Sequence, residues 1–388
     1  MKNVKTIKNM AVLLRTDFNV PIVKGRVGDD FKIKRALPTI KLLLKNKNKL
    51  VLVSHLGRPK GKRVKALSLE PVYKYLRKEL KGVKIEFVKN KTDLKLVKKV
   101  NNSFAQIVML ENMRYDRRED EGRKNLAQLL AKMADVYVNE AFAASHREMA
   151  SLATISNYLT GVAGLNLQKE VEYLSKALKP RKPSVALIGG AKIHTKIAFL
   201  KKFLTLYNRV LVGGGLANTF LLAKGYKIGE SICEPTEVRR AKLLLKSFRL
   251  VLPVDVVIAD QKTMNQVRVA RVGRSKKLCN EGEIILDIGP ETVIKFAQII
   301  RKSKFVVWNG PMGLIEKPKF SHGTIALAKI IGARASSHRA VCIAGGGETL
   351  LALDMSKMGR YYDFVSTGGG AMLQFLEGKK LAGLKVLK

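Results

Sequence analysis

The sequence predicts an α/β protein of two domains, each a parallel sheet flanked by helices, joined by a hinge helix. Three observations predict it. A chain of 388 residues that is 46% hydrophobic exceeds what one core usually supports and is ample for two. Short β-rich runs alternate with helical patterns throughout, as in a parallel sheet covered by helices. The loops after those runs also differ between the halves: cationic side chains gather in the first and glycine clusters in the second. The boundaries read from this are 1–164, 165–180 and 181 onward.

The first half reads VLLRT, IKRALPTIKLLLKN, KLVLVSH, SLEPVYKYLRKEL, IEFV, QIVMLEN, GRKNLAQLLAKM and DVYVNEAF. Ligands of such sheets sit outside the carboxyl ends of the strands. Those ends carry Arg15, Asp17 and Asn19, then His55 and Arg58 in SHLGRP, then Arg114 in LENMRY, then Asn139, His146 and Arg147. One cation at a strand end is ordinary. Four loops each delivering one to the same edge repel each other until an anion relieves them, so a small, multiply charged ligand is implied. Asp17 and Asn19 either orient those cations, bond a substrate hydroxyl or cap turns. Lys32, before a helix expected from Ile33, adds an anion contact, and Lys89 to Lys99 reads as a solvated helix and loop.

From Leu165 to Lys179 the apolar residues Leu167, Val171, Leu174 and Leu178 recur at helical spacing, with Lys169, Glu170, Glu172 and Lys176 on the other face. Pro180 and Pro183 end this helix, since proline lacks a backbone donor and disfavours helix in its predecessor.

In the second half SVALIGGAK, NRVLVGGG, FVVWNGPMG, VCIAGGGET and FVSTGGG each place glycines directly after an apolar strand. Backbone can then approach a phosphate or planar ring, and the next helix start offers free N–H donors. A nucleotide site is expected. It is neither a Walker A loop nor the protein-kinase motif set, since neither pattern is present. Lys192 and Lys196 are placed to reach phosphates and Glu316 a ribose. Glu348 is placed either to hold Mg²⁺ through a carboxylate oxygen or to interact with a helix dipole. Asp287 is expected to cap or turn the chain before a helix near Glu291, where Pro290 fits the first turn.

Lys and Arg number 73 against 31 Asp and Glu, a net charge of +42. Lysine is spread along the whole chain and aromatics make up 6%, which favours a solvated basic surface over a nucleic-acid interface. The N-terminus has no signal-peptide pattern and no apolar run spans a bilayer, so a soluble cytoplasmic protein is expected. Cys233, Cys279 and Cys342 are far apart and indicate neither a disulfide framework nor a zinc site.

The order and spacing of RTDFNVP, LPTI, SHLGRP, LENMR, AFAASHR, GGAK, GGGLANTF, DIGPET, WNGPMG, GGGET and STGGGA resemble the phosphoglycerate kinase family over essentially the whole chain. The resemblance implies a monomer of two Rossmann-like domains that close about the connecting helix, dividing the second half into 181–377 and a segment from about Gly378, 378–388, that returns to the first domain. It implies that Asp17, Phe18, Asn19, Lys32, His55, Leu56, Gly57, Arg58, Arg114 and Arg147 bind 1,3-bisphosphoglycerate or 3-phosphoglycerate. Gly190, Lys192, Lys196, Gly214, Gly289, Glu316, Gly346, Gly347, Glu348 and Thr349 would bind ADP or ATP, with Mg²⁺ carried by the nucleotide near Glu348. Lys32, Lys192 and Lys196 would serve the transfer itself. Lys32 departs from the family pattern, which has arginine there; Glu140, Ala143, Glu348 and Gln374 also depart, and Thr195 stands where many members have Asp. A working but slowed kinase is expected, the alternative being a basic paralogue that binds nucleic acid.

Overall fold

The computed structural model describes residues 3–89, 92–191, 194 and 196–387. It divides into two compact units, Met1–Glu172 with Lys379–Lys388, and Tyr173–Gly378.

The first unit runs β1 (Ala11–Arg15), a small hairpin of β2 (Ile22–Val23) and β3 (Arg26–Val27), α1 (Phe31–Lys45), β4 (Lys49–Val53), α2 (Glu70–Glu79) and β5 (Ile85–Val88). It continues with α3 (Leu94–Asn101), β6 (Ile107–Leu110), α4 (Arg117–Asp120), α5 (Lys124–Ala131), β7 (Val136–Asn139), β8 (Gly161–Ala163) and the start of α6 (Leu165–Leu178). The sheet order is β5-β6-β4-β1-β7-β8, with every pairing parallel. Strand alternation builds two cores from one sheet. Val12, Leu14, Leu50, Leu52, Ile107 and Met109 face one cluster, which includes Ile40 and Val72 of α1 and α2. Leu13, Val51, Val53, Val108 and Leu110 face the other, with Val97 and Leu126 of α3 and α5. The expected solvated helix near Lys99 is thus half core, because Leu96, Val97 and Val100 are buried.

The second unit comprises the end of α6, β9 (Ser184–Ile188), α7 (Ile197–Leu206), β10 (Arg209–Val212), α8 (Gly214–Ala223), α9 (Val238–Leu244), β11 (Leu250–Val251), β12 (Asp255–Asp260), β13 (Arg268–Arg271) and β14 (Glu283–Ile288). Then come α10 (Pro290–Lys302), β15 (Phe305–Asn309), α11 (His322–Ser336), β16 (Val341–Gly345), α12 (Gly347–Ser356), β17 (Phe364–Ser366) and α13 (Gly369–Leu376). Its six-stranded sheet is parallel in the order β11-β10-β9-β15-β16-β17. Counted along that sheet this is 3-2-1-4-5-6, the doubly wound order with its switch point between β9 and β15. A three-stranded antiparallel sheet, β13-β12-β14, is inserted beside it. No helix among the described residues is long and apolar enough to cross a membrane.

Two sequence expectations change here. Glu170, assigned to the polar face of the linking helix, is fully buried, in the field of Arg35 of α1 and close enough to Glu140 to disfavour its charge. Helical periodicity locates one buried stripe and misses a second contact on the opposite side. Asp287 does not cap α10: Asp255 accepts from the N–H groups of Glu291 (3.0 Å) and Thr292 (2.7 Å), while Asp287 accepts from Gly323 in the first turn of α11 at 2.8 Å.

Glu140 gives a stability prediction. Its carboxyl is buried at the start of α6 and accepts from Thr39 Oγ1 and the Asn166 N–H, both at 2.9 Å, with its second oxygen unpaired among the described residues. Burial pushes it up to about 8, against those bonds, and neighbouring Glu170 adds to the rise. Because the folded pKa lies above the unfolded value of 4.5, this group's contribution to folding stability is fully present below pH 4.5 and is lost as pH rises towards 8. Glu140→Gln removes that loss: urea unfolding should give matching stabilities near pH 5 and a variant more stable by at least about 2 kcal/mol at pH 8.5. Equal pH slopes for the two proteins would refute it.

Candidate functional site

In the first unit the chain leaves β1 towards β4 on one side and has β7 on the other, so a crevice opens at the carboxyl end of β1. Ser54 closes the loop after β1 by accepting from the Phe18 N–H at 2.9 Å and donating to the Thr16 carbonyl at 3.0 Å. Asn112 does the same for the SHLGRP loop, accepting from the Leu56 N–H (3.2 Å) and donating to the Leu56 and Leu67 carbonyls (2.7 and 2.8 Å). Phe18 and Leu56, expected at the substrate site, bury their side chains in the core, so any contact with a ligand falls to their backbone. Gly57 takes a positive φ of 59°, and its N–H donates to Asn19 Oδ1 at 2.9 Å.

Asp17 is nearly buried and receives Lys32 Nζ at 3.0 Å and the Asn19 N–H at 3.1 Å. Burial favours its neutral form, but the Lys32 ammonium and these hydrogen bonds outweigh it and hold the carboxyl at about 2. Lys32 lies in the first turn of α1, which starts two residues earlier than expected. His55 is driven well below its ordinary pKa by burial, helped by Arg15 and Arg114 and opposed by Asp17. Its Nδ1 lies 3.2 Å from Arg15 Nη2. A guanidinium only donates, so Nδ1 accepts and the ring proton sits on Nε2, giving a neutral donor. Arg15 is itself fixed by Ser151 Oγ at 2.8 Å and by Glu119 at 3.7 Å, and Ser151 donates to Glu119 at 2.6 Å. Arg114 is buried and donates to Asp120 at 2.9 Å and to the Gly57 carbonyl at 2.7 Å. Arg58 is exposed and Arg147 half-buried; neither is in an ion pair among the described residues. Those two guanidiniums are the ones left over for an external anion.

In the second unit the glycine corners interlock at the switch point. The N–H groups of Gly189 and Gly190 donate to the carbonyls of Asn309 and Pro311, both at 2.9 Å, and the Gly214 N–H donates to Met312 at 2.8 Å. A Cβ on Gly189 would run into the Pro311 carbonyl, so the crossing requires glycine. Lys196, half-buried just before α7, donates from Nζ to the Gly189 carbonyl. Burial lowers its ammonium to about 8, with Glu348 opposing the fall. A Cβ on Gly190 would lie 2.8 Å from Lys196 Nζ and 3.5 Å from Glu348 Oε2, which shows that cation and carboxylate converge on this corner.

Beside it is a cavity of about 450 Å³, lined in part by Gly190, Gly214, Asn218, Asp287, Glu316 and Glu348. Asp287 in its wall is pushed up to about 7 by burial, despite bonds from the Gly323 and Ile288 N–H groups. Thr349 is buried and accepts from the Gly310 N–H at 2.7 Å, while Gly346 (φ 106°) turns the chain into α12 and the Cα of Gly347 faces open space. Gly289 does not line the cavity; it packs on the Asp255 carboxylate. Lys192 and Thr195 lie outside the described residues. A larger cavity, about 900 Å³, lies in the first unit among Arg63, Lys95, Tyr115 and Arg117, away from Asp17, His55 and Arg147.

The family model for phosphoglycerate kinase matches residues 1–379. The chain belongs to the phosphoglycerate kinase family. It is 40% identical to the phosphoglycerate kinase of Chloroflexus aggregans, covering 100% of this chain and 99% of that one, and 40% identical to that of Moorella thermoacetica, covering 98% and 97%. The solved phosphoglycerate kinase of Coxiella burnetii superposes with a TM-score of 0.84 at 38% identity, over 98% of this chain and 95% of that one. That of Pyrococcus horikoshii gives the same TM-score at 28% identity.

Within this phosphoglycerate kinase fold several groups carry more weight than the motifs indicated. Arg15 ends an otherwise apolar strand, a signal that it must be buried and paired. Glu119 and Ser151 gave no signal, because their roles depend on contacts between segments far apart in sequence.

Proposed function

We propose that the protein transfers a phosphoryl group reversibly from 1,3-bisphosphoglycerate to ADP, giving 3-phosphoglycerate and ATP. The observation that carries this reading is the Gly190 corner, where Lys196 and Glu348 converge beside a cavity of nucleotide size. The first unit supplies the acid-binding half: Arg58 and Arg147 for the phosphate and carboxyl charges, Lys32 poised on Asp17, and the neutral His55 as a hydrogen-bond donor. No general base is required, because the attacking oxygen belongs to an already ionised phosphate or carboxylate. Catalysis then consists of alignment and charge neutralisation by these cations and by helix-start N–H groups such as those of α12.

A nucleotide-borne Mg²⁺ fits the donor set. Among the described residues no three metal-ligating side chains converge, whereas Glu348 offers one carboxylate, and Mg²⁺ on nucleotides characteristically takes one or two carboxylates plus phosphates. When bound, it would share with Lys196 and the helix-start N–H groups the work of neutralising phosphate charge. The proposal extends to a cytoplasmic monomer.

A coupled assay with ADP and 1,3-bisphosphoglycerate at two salt concentrations tests the reading. ATP should form at both. Folded protein that forms none, yet binds nucleic acid with a steep salt dependence, would replace it with the nucleic-acid reading.

A further inference from the structure

Lysine and arginine, spread along the whole sequence, are not spread evenly by the fold. In the second unit the strand starts form the sheet edge opposite the glycine corners, about 16 Å away across a strand of five residues such as β9. Along that edge, in the order β11-β10-β9-β15-β16, the chain enters each strand at or within three residues after Arg249, Arg209, Lys182, Lys304 and Arg339. Five adjacent starts at strand spacing make a row about 19 Å long. The row is not a general property of a basic chain: in the first unit β6, β7 and β8 follow no lysine or arginine within the same distance, and β7 follows Asp135. Lys182, Lys304 and Arg339 are exposed and in no ion pair among the described residues. The remaining start, β17, follows Asp363, whose carboxylate accepts from the Cys342 N–H at 2.8 Å.

An exposed aromatic ring stands at each end of this edge. Phe248, 77% exposed, precedes Arg249, and the guanidiniums of Arg209 and Arg249 lie 5.8 and 5.6 Å from its centroid. Both guanidiniums are fixed by backbone carbonyls, Arg209 by Asn208 and Arg249 by Leu204 and Thr205. Tyr361, 37% exposed, lies just before β17, with the Arg360 guanidinium 4.8 Å from its centroid. Among the described residues of the second unit these are the exposed aromatic side chains. A row of cations repels itself until a polyanion relieves it, and a π face accepts any base.

We propose that this edge of the second unit binds single-stranded nucleic acid, with phosphates along the cation row and bases stacked on Phe248 and Tyr361. Charge complementarity selects a polyanion, and the exposed rings select one with planar bases over an acidic peptide or polysaccharide. A duplex keeps its bases stacked on each other and has none to give the rings. The edge lies across the sheet from the nucleotide-sized cavity, so strand binding is independent of phosphoryl transfer.

Fluorescence anisotropy of a labelled oligouridylate of about ten nucleotides, titrated with the full chain at several salt concentrations, tests the assignment. The strand should bind, a duplex of the same length should bind more weakly, and saturating ADP should not displace the strand. Phe248→Ala with Tyr361→Ala should weaken strand binding about tenfold or more at an unchanged salt slope, since stacking releases no counterions. Lys182→Glu with Lys304→Glu and Arg339→Glu should weaken it and lower the log–log salt slope by about 2. The same reversal at three exposed lysines of the first unit, Lys41→Glu with Lys78→Glu and Lys81→Glu, changes net charge equally and should leave binding nearly unaltered. Circular dichroism checks that each variant is folded. Equal losses in the two charge variants would overturn the assignment, because the whole basic surface would then be the attractor. Displacement by ADP, or a duplex bound as tightly as the strand, would also overturn it, and neither needs a variant. An active kinase that binds no strand overturns this inference alone and leaves the proposed phosphoryl transfer standing.

Discussion

Lys196→Met should lower kcat/KM about a thousandfold, the size expected when a cation aimed at transferring phosphoryl charge is lost from a water-poor site. Lys196 is the described cation nearest the Gly190 corner, and its pKa, lowered to about 8 by burial, gives the loss a pH signature. In the free protein the ammonium is mostly charged at pH 7 and mostly neutral at pH 9. Bound phosphate favours the charged form, so ADP affinity should fall as pH rises through about 8. Lys196→Arg keeps its charge throughout this range and should remove the alkaline fall, even if altered geometry lowers affinity overall. Calorimetric titrations of ADP from pH 6.5 to 9.5 check both variants. An identical alkaline fall in Lys196→Arg would show that another group titrates.

Strand ends were readable in the sequence because each is the point where a continuous apolar run stops at glycine, histidine or arginine, and the parallel pairing brings those points to one edge. β1, β4 and β6, and later β9, β10, β15, β16 and β17, sit where their motifs put them. What those ends do with their side chains was less readable. Val257 pairs with Asp287 and Val256 with Ile288 in the antiparallel insert, which places Asp255 and Asp287 near two different helix starts. Sequence proximity to Pro290 pointed to Asp287 for a cap that Asp255 supplies from another strand. The His55 tautomer likewise depends on Arg15, whose own orientation depends on Glu119 and Ser151 in a later loop and helix. Phe18 and Leu56 stand inside binding motifs, and burial of their side chains holds those loops to the core.

Lys32→Arg should raise kcat, by up to about a hundredfold if the guanidinium's extra bonds are made mainly in the transition state, worth up to about 2.7 kcal/mol. Lys32 is 22% exposed and pairs with a single oxygen of Asp17 at 3.0 Å. The ammonium is a point charge: while it holds Asp17, it presents no planar fork to a second anion. A guanidinium can pair with Asp17 through one N–H edge and turn other donors to the ligand. The Asp17 carboxylate itself persists in either protein, since a depressed pKa near 2 means that the pair's stabilisation is complete above pH 3.8 and is lost only as pH falls through about 2. Any gain at neutral pH therefore reports donor geometry and leaves the charge of Asp17 unchanged. Steady-state kinetics in both directions separate the outcomes: a higher kcat with little change in KM supports a transition-state contact, whereas an unchanged or lower kcat would mean that Asp17, Asn19 and the surrounding loop have adapted to lysine.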